Sequence, residues 1–388
     1  MGIVIFFEIL TFVSFMVPLL FYLCYGALLV HYNRQSRLRK RSYRYIFPSV
    51  TLIVPVYNEE TIIERKINNI NETEYPHDKI EVIFVDGDSS DRTPEIVLRQ
   101  ALDSKISIRL IRQKKREGYT RALIEGIKNS QSEIVVATDA ASYYYSNTIL
   151  NLTRHFTDSE IGAVTGKEVV LGKEGDVGPV LEKSYRFFYD FIRVAETEID
   201  STPDSKGEVL AIRKDICDKI LEKLVRSPNA SFDTCVPYQA KIMGYRTIFD
   251  EDAKYYENAP ASFSDRMKQQ VRRATLLIGG LLLFKGLLFS KKSGRFGLLI
   301  LPAHFIMDCV LPSFFMVGAL SFIILSIVNP LVTVPVWLAV LILLSIGKSR
   351  SFIISFIQSQ FALFAALFKL AKREKTLFIE SIPSTRTT

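Results

Sequence analysis

Between Ile3 and Val30 the chain carries a single formal charge, Glu8. About 20 predominantly apolar residues in a helix cross a bilayer core, so this run predicts a transmembrane helix. A signal peptide has a shorter apolar region that ends at a small-residue cleavage site. Here the run passes through Tyr25-Gly-Ala-Leu-Leu-Val-His31 into a basic cluster, Arg34, Arg37, Arg39, Lys40, Arg41 and Arg44. Positive charge beside a span marks the cytoplasmic side. The amino terminus is therefore expected outside, and the central part of this integral membrane protein in the cytosol. The net charge of +8 mostly reports such membrane flanks and headgroup contact, so no nucleic-acid partner is expected. Cys24, Cys217, Cys235 and Cys309 form no pair at metal or redox spacing, which argues against disulfides and zinc.

The middle of the chain alternates short apolar runs with helix-period stretches. Strands are expected at 50–56, 80–85, 106–111, 133–137, from 161, before 214, and at 247–249. Helices are expected at 59–70, 92–102, 118–129, 146–156, 178–198, around 215–225, and up to Lys241. That order predicts an α/β fold with a mostly parallel sheet and flanking helices. In such sheets ligands bind beyond the carboxyl ends of the strands. Acids cluster there: Asp86, Asp88, Asp91, Asp139 and Asp233. Asp91, before Arg-Thr-Pro-Glu, reads as a helix N-cap. The others can accept hydrogen bonds from ribose and base, or hold a metal that bridges to phosphates. From 262 to 290 a basic helix with an apolar face is expected to lie in the membrane interface. Its Arg272 and Arg273 can clamp a diphosphate or contact lipid headgroups.

Further span candidates follow at 303–327, 331–347 and 352–370, with Pro302, Pro312 and Pro335 as tolerated interruptions. Three full spans would leave the tail from Lys372 outside, whereas Lys372, Arg373 and Lys375 favour the inside. Gln358 and Gln360 allow 352–370 to be read as interfacial, and the sequence leaves both arrangements open. The expected organisation is a transmembrane helix (1–31), a basic linker (32–47) and a catalytic domain (48–261). Amphipathic interfacial helices (262–296), a transmembrane region (297–371) and a tail (372–388) complete it.

Six motifs in order resemble those of membrane-bound family 2 glycosyltransferases, the group of hyaluronan, cellulose and chitin synthases and polyprenyl-linked sugar transferases. Val54-Pro-Val-Tyr-Asn-Glu-Glu60 matches the opening strand whose polar end borders the base, which implies donor contacts at Pro55, Tyr57 and Glu59. Val85-Asp86-Gly-Asp88 matches the segment whose first aspartate contacts the nucleoside. Gly118 through Leu123 occupies a Gly-Lys-x-x-Ala-Leu turn, with Tyr119 at the lysine position and Arg116 available to compensate. Asp139 opens the Asp-x-Asp metal motif, but Ala141 replaces its second aspartate. Asp139 then holds the Mg2+ or Mn2+ ion alone, or dependence shifts to Arg272 and Arg273.

Asp233 falls on the catalytic base, with Phe232 in place of the preceding glutamate, and is followed by Gly244-Tyr245-Arg246. Gln269-Gln-Val-Arg272-Arg273 resembles Gln-x-x-Arg-Trp. Arg273 in place of the tryptophan favours transfer of one sugar over long-chain synthesis. The resemblance, over about 48–300, implies a GT-A fold and inverting transfer from a UDP- or GDP-sugar. The acceptor would be a polyprenyl phosphate, a lipid-linked glycan or a growing polysaccharide, reached from the membrane lipids. An inactive, membrane-anchored nucleotide-sugar or lipid-binding protein is the rival reading.

Overall fold

The computed structural model describes residues 2–37, 47–172, 177–224, 227, 229–260 and 262–372. Arg39, Lys40, Arg41, Arg44, Arg373 and Lys375, which carry much of the topological signal, lie outside the described residues. Helix α1 (Gly2–Arg37) leads to four strands alternating with helices: β1 (Val50–Val56), α2 (Ile63–Asn71), β2 (Ile80–Asp86), α3 (Thr93–Asp103), β3 (Ser107–Arg112), α4 (Tyr119–Asn129) and β4 (Ile134–Ala137). These strands are mutually parallel. β1 is apolar because both its faces are covered: Val50, Leu52, Ile53 and Val54 are all buried. In α2, Ile63, Lys66, Ile67 and Ile70 recur at helical spacing and are the buried face. α4 lies close on β1 through Gly126, where a Cβ would stand 2.4 Å from Ile53 Cγ2.

Beyond β4 the sheet becomes mixed. β5 (Tyr143–Tyr144), α5 (Thr148–Thr153), β6 (Ile161–Leu171), α6 (Val177–Ile199), β7 (Leu210–Arg213), α7 (Lys214–Leu224), α8 (Phe232–Ile242) and β8 (Arg246–Asn258) follow. The strand order is β3-β2-β1-β4-β7-β6-β8-β5. β7 runs antiparallel to both β4 and β6, and β5 antiparallel to β8. β1 to β4, β6 and β8 run in one direction, so the sheet is mostly parallel as expected, and the reversed β7 and β5 make it mixed. The reason is that α6 and the loop after it carry the chain back to the far end of the sheet before β7 begins, so β7 enters reversed. β8 also extends well past the expected 247–249, because its second half alternates buried Ala253 and Tyr255 with exposed polar residues.

Among the described residues, three helices are long and apolar enough to cross a membrane: Gly2–Arg34, Phe296–Val328 and Ser349–Ala371. The segment between the last two, Pro330–Ser345, has 16 residues, about 24 Å at the helical rise. α1 packs on the 296–328 helix, with Thr11 Oγ1 2.8 Å from Ser321 Oγ. Glu8, the lone charge of the first span, accepts a 3.2 Å hydrogen bond from Asn329 Nδ2. One apolar core runs from Ile53 and Val135 in the sheet through Tyr25 and Leu29 of α1 to Phe296–Leu311.

Helix α9 (Phe263–Leu283) departs from a simple interfacial helix. Arg266 is fully buried and bonds Ser355 Oγ at 3.0 Å and the Gln358 side chain. Gln358 and Gln360 are buried as well. They face protein, which removes the reason for reading 352–370 as interfacial.

Candidate active site

The ends of β1 and β2 are stitched together, with Val56 paired to Asp86. Asn58 and Asp88 take left-handed backbone, at φ 54° and 68°, a conformation that Asn and Asp tolerate. Ser90 N–H donates to Asn58 Oδ1 at 2.9 Å, and Asn58 N–H donates to Ser89 Oγ at 2.9 Å. Asp91 accepts from Thr93 N–H at 2.9 Å and Glu60 N–H at 3.0 Å. The N-cap of α3 is Arg92, so Asp91 is not the cap expected: it sits one residue earlier and holds the turn that leads into the helix. Asp86 is buried with Ser89 N–H 3.3 Å from each of its oxygens and Arg112 Nε 3.5 Å away, while Asp88 is exposed. The Arg116 guanidinium lies 4.0 Å from the Tyr57 ring centroid, a cation–π pair at the same rim.

A cavity of about 290 Å³ opens beside this rim. Of the residues singled out in the sequence, Pro55, Glu59, Asp139, Asp233, Gln269, Arg272 and Arg273 line it. Tyr57, Asp86, Asp88 and Arg116 do not line the cavity. Burial first, and Glu208 next, push the Asp139 carboxyl up to about 6, against the opposing pull of Tyr119 and Lys66. Its Oδ1 has no hydrogen-bond partner. Lys66 pins the turn before it, donating to Thr138 Oγ1 at 2.9 Å and to Ser142 O, and burial lowers its own pKa to about 7.

Asp233 opens α8 behind the Ser231 cap. Burial and then Glu208 raise its pKa, while a hydrogen bond from Ser231 opposes them. Gly207 fits beside this carboxylate: a Cβ there would meet Tyr119 Oη at 3.4 Å and Asp233 Cγ at 3.5 Å. Tyr119 Oη is buried without a partner, and burial together with Asp139 keeps the phenol neutral.

The cationic side is more elaborate than the sequence suggested. Arg273 reaches Glu182 at 3.4 Å and Glu208 at 3.5 Å. Glu182 also takes Arg186 at 2.7 Å and Arg266 at 3.1 Å. Arg272, by contrast, has its Nε buried with no hydrogen-bond partner. Burial pushes Lys206 down to about 8, with Arg186, Arg193 and Arg273 adding to the effect. Glu182, Lys206, Glu208 and Glu257 also line the cavity, and sequence reasoning missed them. The signal for two of them was the polar run Asp204-Ser-Lys-Gly-Glu208 directly before an apolar strand.

For a metal, Asp139 offers one unpartnered oxygen and Ala141 offers none. Among the described residues no three His, Cys, Asp or Glu side chains are grouped to hold an ion. Mg2+ and its like keep several waters and bind through one or two carboxylates plus substrate phosphates. This donor set therefore fits an ion arriving with a diphosphate and not a preformed protein cage.

Residues 51–221 match the family described as Glycosyl transferase family 2. That match covers less than half of the chain; the α/β core with a mixed sheet is GT-A-like, and the long apolar helices are consistent with membrane spans. A mannosyltransferase from Pyrobaculum calidifontis, solved in complex with GDP-Man and Mn2+, superposes with a TM-score of 0.76 at 26% identity, covering 94% of this chain and all of that one. The β-monoglucosyldiacylglycerol synthase of Trichormus variabilis is 29% identical over 124 residues, 32% of this chain and 26% of the relative. The dolichol-phosphate mannosyltransferase of Pyrococcus furiosus is 26% identical over 179 residues, 44% of this chain and 48% of the relative. The chain thus spans only 26% to 48% of the length of these two curated relatives.

Proposed function

We propose that this protein is an inverting glycosyltransferase. It moves a sugar from a nucleotide-diphospho-sugar to a membrane-associated acceptor at the cytosolic face. The observation that carries this reading is the single cavity in which Asp139, Asp233 and Arg272 meet, and which continues between the membrane helices to His304 and Leu363.

In this reading Pro55, Tyr57, Glu59, Asp86, Asp88 and Arg116 hold the base and ribose. Arg272 and Arg273, with Gln269 beside them, face the diphosphate. A divalent ion at Asp139 supplies further charge neutralisation when bound. Asp233 removes the proton from the acceptor hydroxyl as its oxygen attacks the anomeric carbon from the face opposite the diphosphate. The bond between that carbon and the diphosphate oxygen breaks, and the nucleoside diphosphate leaves with the electron pair. Proximity and alignment supply much of the effect, and a raised carboxyl pKa makes Asp233 a stronger base.

The Pyrobaculum enzyme was solved with GDP-Man and Mn2+, so this pair is the first donor to test, followed by UDP-sugars and Mg2+. The assay is nucleoside diphosphate release by full-length protein in lipid with extracted membrane lipids as acceptor. Turnover that disappears in Asp233→Asn supports the reading. Donor binding without turnover from any acceptor extract would refute it in favour of a binding protein.

A further inference from the structure

Lys66 stands on the buried face of α2, in line with Ile63, Ile67 and Ile70, and is 0% exposed. A methionine or leucine would fill such a place without electrostatic cost, whereas a buried ammonium forfeits its hydration and persists only against good partners. Its partners lie at the two ends of one turn. Nζ donates to Thr138 Oγ1 at 2.9 Å and to Ser142 O, and rests 4.7 Å from the Tyr144 ring centroid. Between those ends is Asp139, whose carbonyl accepts from Ser142 N–H at 3.3 Å. Lys66 does not itself line the cavity, but Asp139 does. Anchoring α2 to this segment does not need the charge. Asn69 Nδ2 donates to Tyr144 O at 2.8 Å, and Asn69 Oδ1 accepts from Tyr144 N–H at 2.7 Å. A neutral amide thus already ties the two elements together, and what Lys66 adds is aimed at the Asp139 turn.

We propose that Lys66 is a positioning residue for the donor side of the site: it braces the 138–142 turn from behind, so that the Asp139 carboxylate meets the ion that a diphosphate brings. The inference rests on the glycosyltransferase reading and deepens it. Two carboxylates in one motif would fix an ion between them, and a small shift of one could be taken up by the other. With Ala141 in the second place that correction is gone, and the direction of Asp139 is set by its backbone. Movement of the turn then costs ion binding directly. Groups that orient a metal ligand without touching the metal contribute about 10- to 100-fold to its affinity. The ammonium has an opposing effect as well, since its charge repels a divalent ion. Asp139 and Glu257 are the carboxylates that act on that charge, and both line the cavity, which offsets the repulsion on the side where an ion would arrive.

The test uses full-length protein in phosphatidylcholine nanodiscs, titrated calorimetrically with GDP and with UDP, each with Mn2+ and with chelator. The wild type is expected to bind one of them more tightly with the ion. Lys66→Met fills the space and removes the charge. Its affinity with Mn2+ is expected to fall about 10- to 100-fold, while its affinity in chelator stays within about threefold. Thr138→Val removes one of the two bonds and leaves the charge in place, and is expected to lose affinity with Mn2+ in the same direction, which separates the tether from the charge. Ile67→Val loosens the same helix by one methyl group and is expected to bind as the wild type does. The proposal is overturned if Lys66→Met with Mn2+ stays within about twofold of wild type, well short of an orienting group's contribution. It is equally overturned if the loss is as large in chelator, or if Ile67→Val loses as much. A gain in ion-dependent affinity would overturn it too, because the ammonium would then act only as a repelling charge. So would a wild type indifferent to the ion. Should Lys66→Met fail to fold, Thr138→Val decides, and unchanged affinity with Mn2+ overturns the proposal. Nucleoside diphosphate release with extracted membrane lipids is measured on the same samples. No release beside an intact Lys66 effect would sink the transferase reading and leave the positioning role standing; release without a Lys66 effect would do the reverse.

Discussion

Glu182 joins the membrane helices to the candidate active site, and its replacement by glutamine gives a sharp test of that arrangement. Its Oε1 faces Arg186 at 2.7 Å and Arg273 at 3.4 Å, and its Oε2 faces Arg266 at 3.1 Å. Burial alone would raise the carboxyl pKa, but Arg186, Arg273, Arg266 and Lys206 override it and hold it at about 2, from 4.5. That displacement corresponds to about 3 kcal/mol of folding free energy at neutral pH. Breaking a buried ion pair by removing one partner costs about 3–5 kcal/mol, so two independent routes agree. A depressed carboxyl pKa stabilises the fold above the unfolded value, and that stabilisation is lost as pH falls from 4.5 toward 2. Glu182→Gln is therefore expected to lose about 3 kcal/mol at pH 7 in a denaturant titration of the micelle-embedded protein. Its deficit should shrink to about half or less at pH 3. A deficit under about 1 kcal/mol at pH 7, or one unchanged at pH 3, would show that the network does not work this way.

Asp233→Asn is expected to lower kcat about 100- to 10,000-fold while leaving donor affinity within about threefold; an equal loss in donor binding would remove its role as base. Because its pKa is raised by burial and Glu208, the wild-type rate should fall toward acid pH with an inflection above the ordinary aspartate range. Asp139 has its folded pKa at about 6, raised from 3.8. The stability linked to its protonated form is complete below 3.8 and is lost as pH rises through 6. With chelator present, Asp139→Asn should thus exceed wild type by about 1–3 kcal/mol at pH 7.5 and match it near pH 4, while losing Mn2+-dependent donor binding. Thermal unfolding and calorimetry read the two effects. Arg272→Ala should weaken nucleoside diphosphate binding about 10- to 100-fold, with Arg272→Lys partly restoring it; unchanged affinity by calorimetry would exclude Arg272 from the diphosphate site.

The first four strands were legible in the sequence to within a residue or so: β1, β2 and β4 are covered on both faces and so nearly apolar throughout, while the edge strand β3 alternates Ile108 and Leu110 with exposed polar residues. β8 beyond Phe249 was not legible. Its exposed face carries Glu251, Asp252 and Lys254, and pairing with β6 on one side and β5 on the other holds it extended. The two residues of β5 exist as a strand only through Tyr143 and Tyr144 opposite Tyr256 and Tyr255. Within the site, polar residues at strand ends could be found because they interrupt apolar runs. Glu182, Arg186 and Arg266 could not, since charges on helices ordinarily mean a solvated face. Here they are buried through mutual pairing, which no local pattern records. The same holds for Gln358, polar in an apolar helix yet turned toward Arg266.

The segment matched by the family, 51–221, contains the donor-side strand ends but not the proposed base or the diphosphate-side cations. Asp233, Gln269, Arg272 and Arg273 all lie beyond it. α9 supplies three of those four, and one carboxylate, Glu182, bonds the α9 residue that anchors to the 347–371 helix, Arg266, and the α9 residue that faces the cavity, Arg273. A shift of that membrane helix must change the position of Arg266. Glu182 then has to repartition its two oxygens among its arginines, because an unpaired buried charge is far more costly than a moved one. Arg273 is the partner with most freedom to move, being 28% exposed where Arg186 and Arg266 are nearly inaccessible. The geometry of the proposed diphosphate side is therefore conditional on how the membrane helices pack. The α/β core by itself would present the strand-end acids without the groups that complete the proposed site.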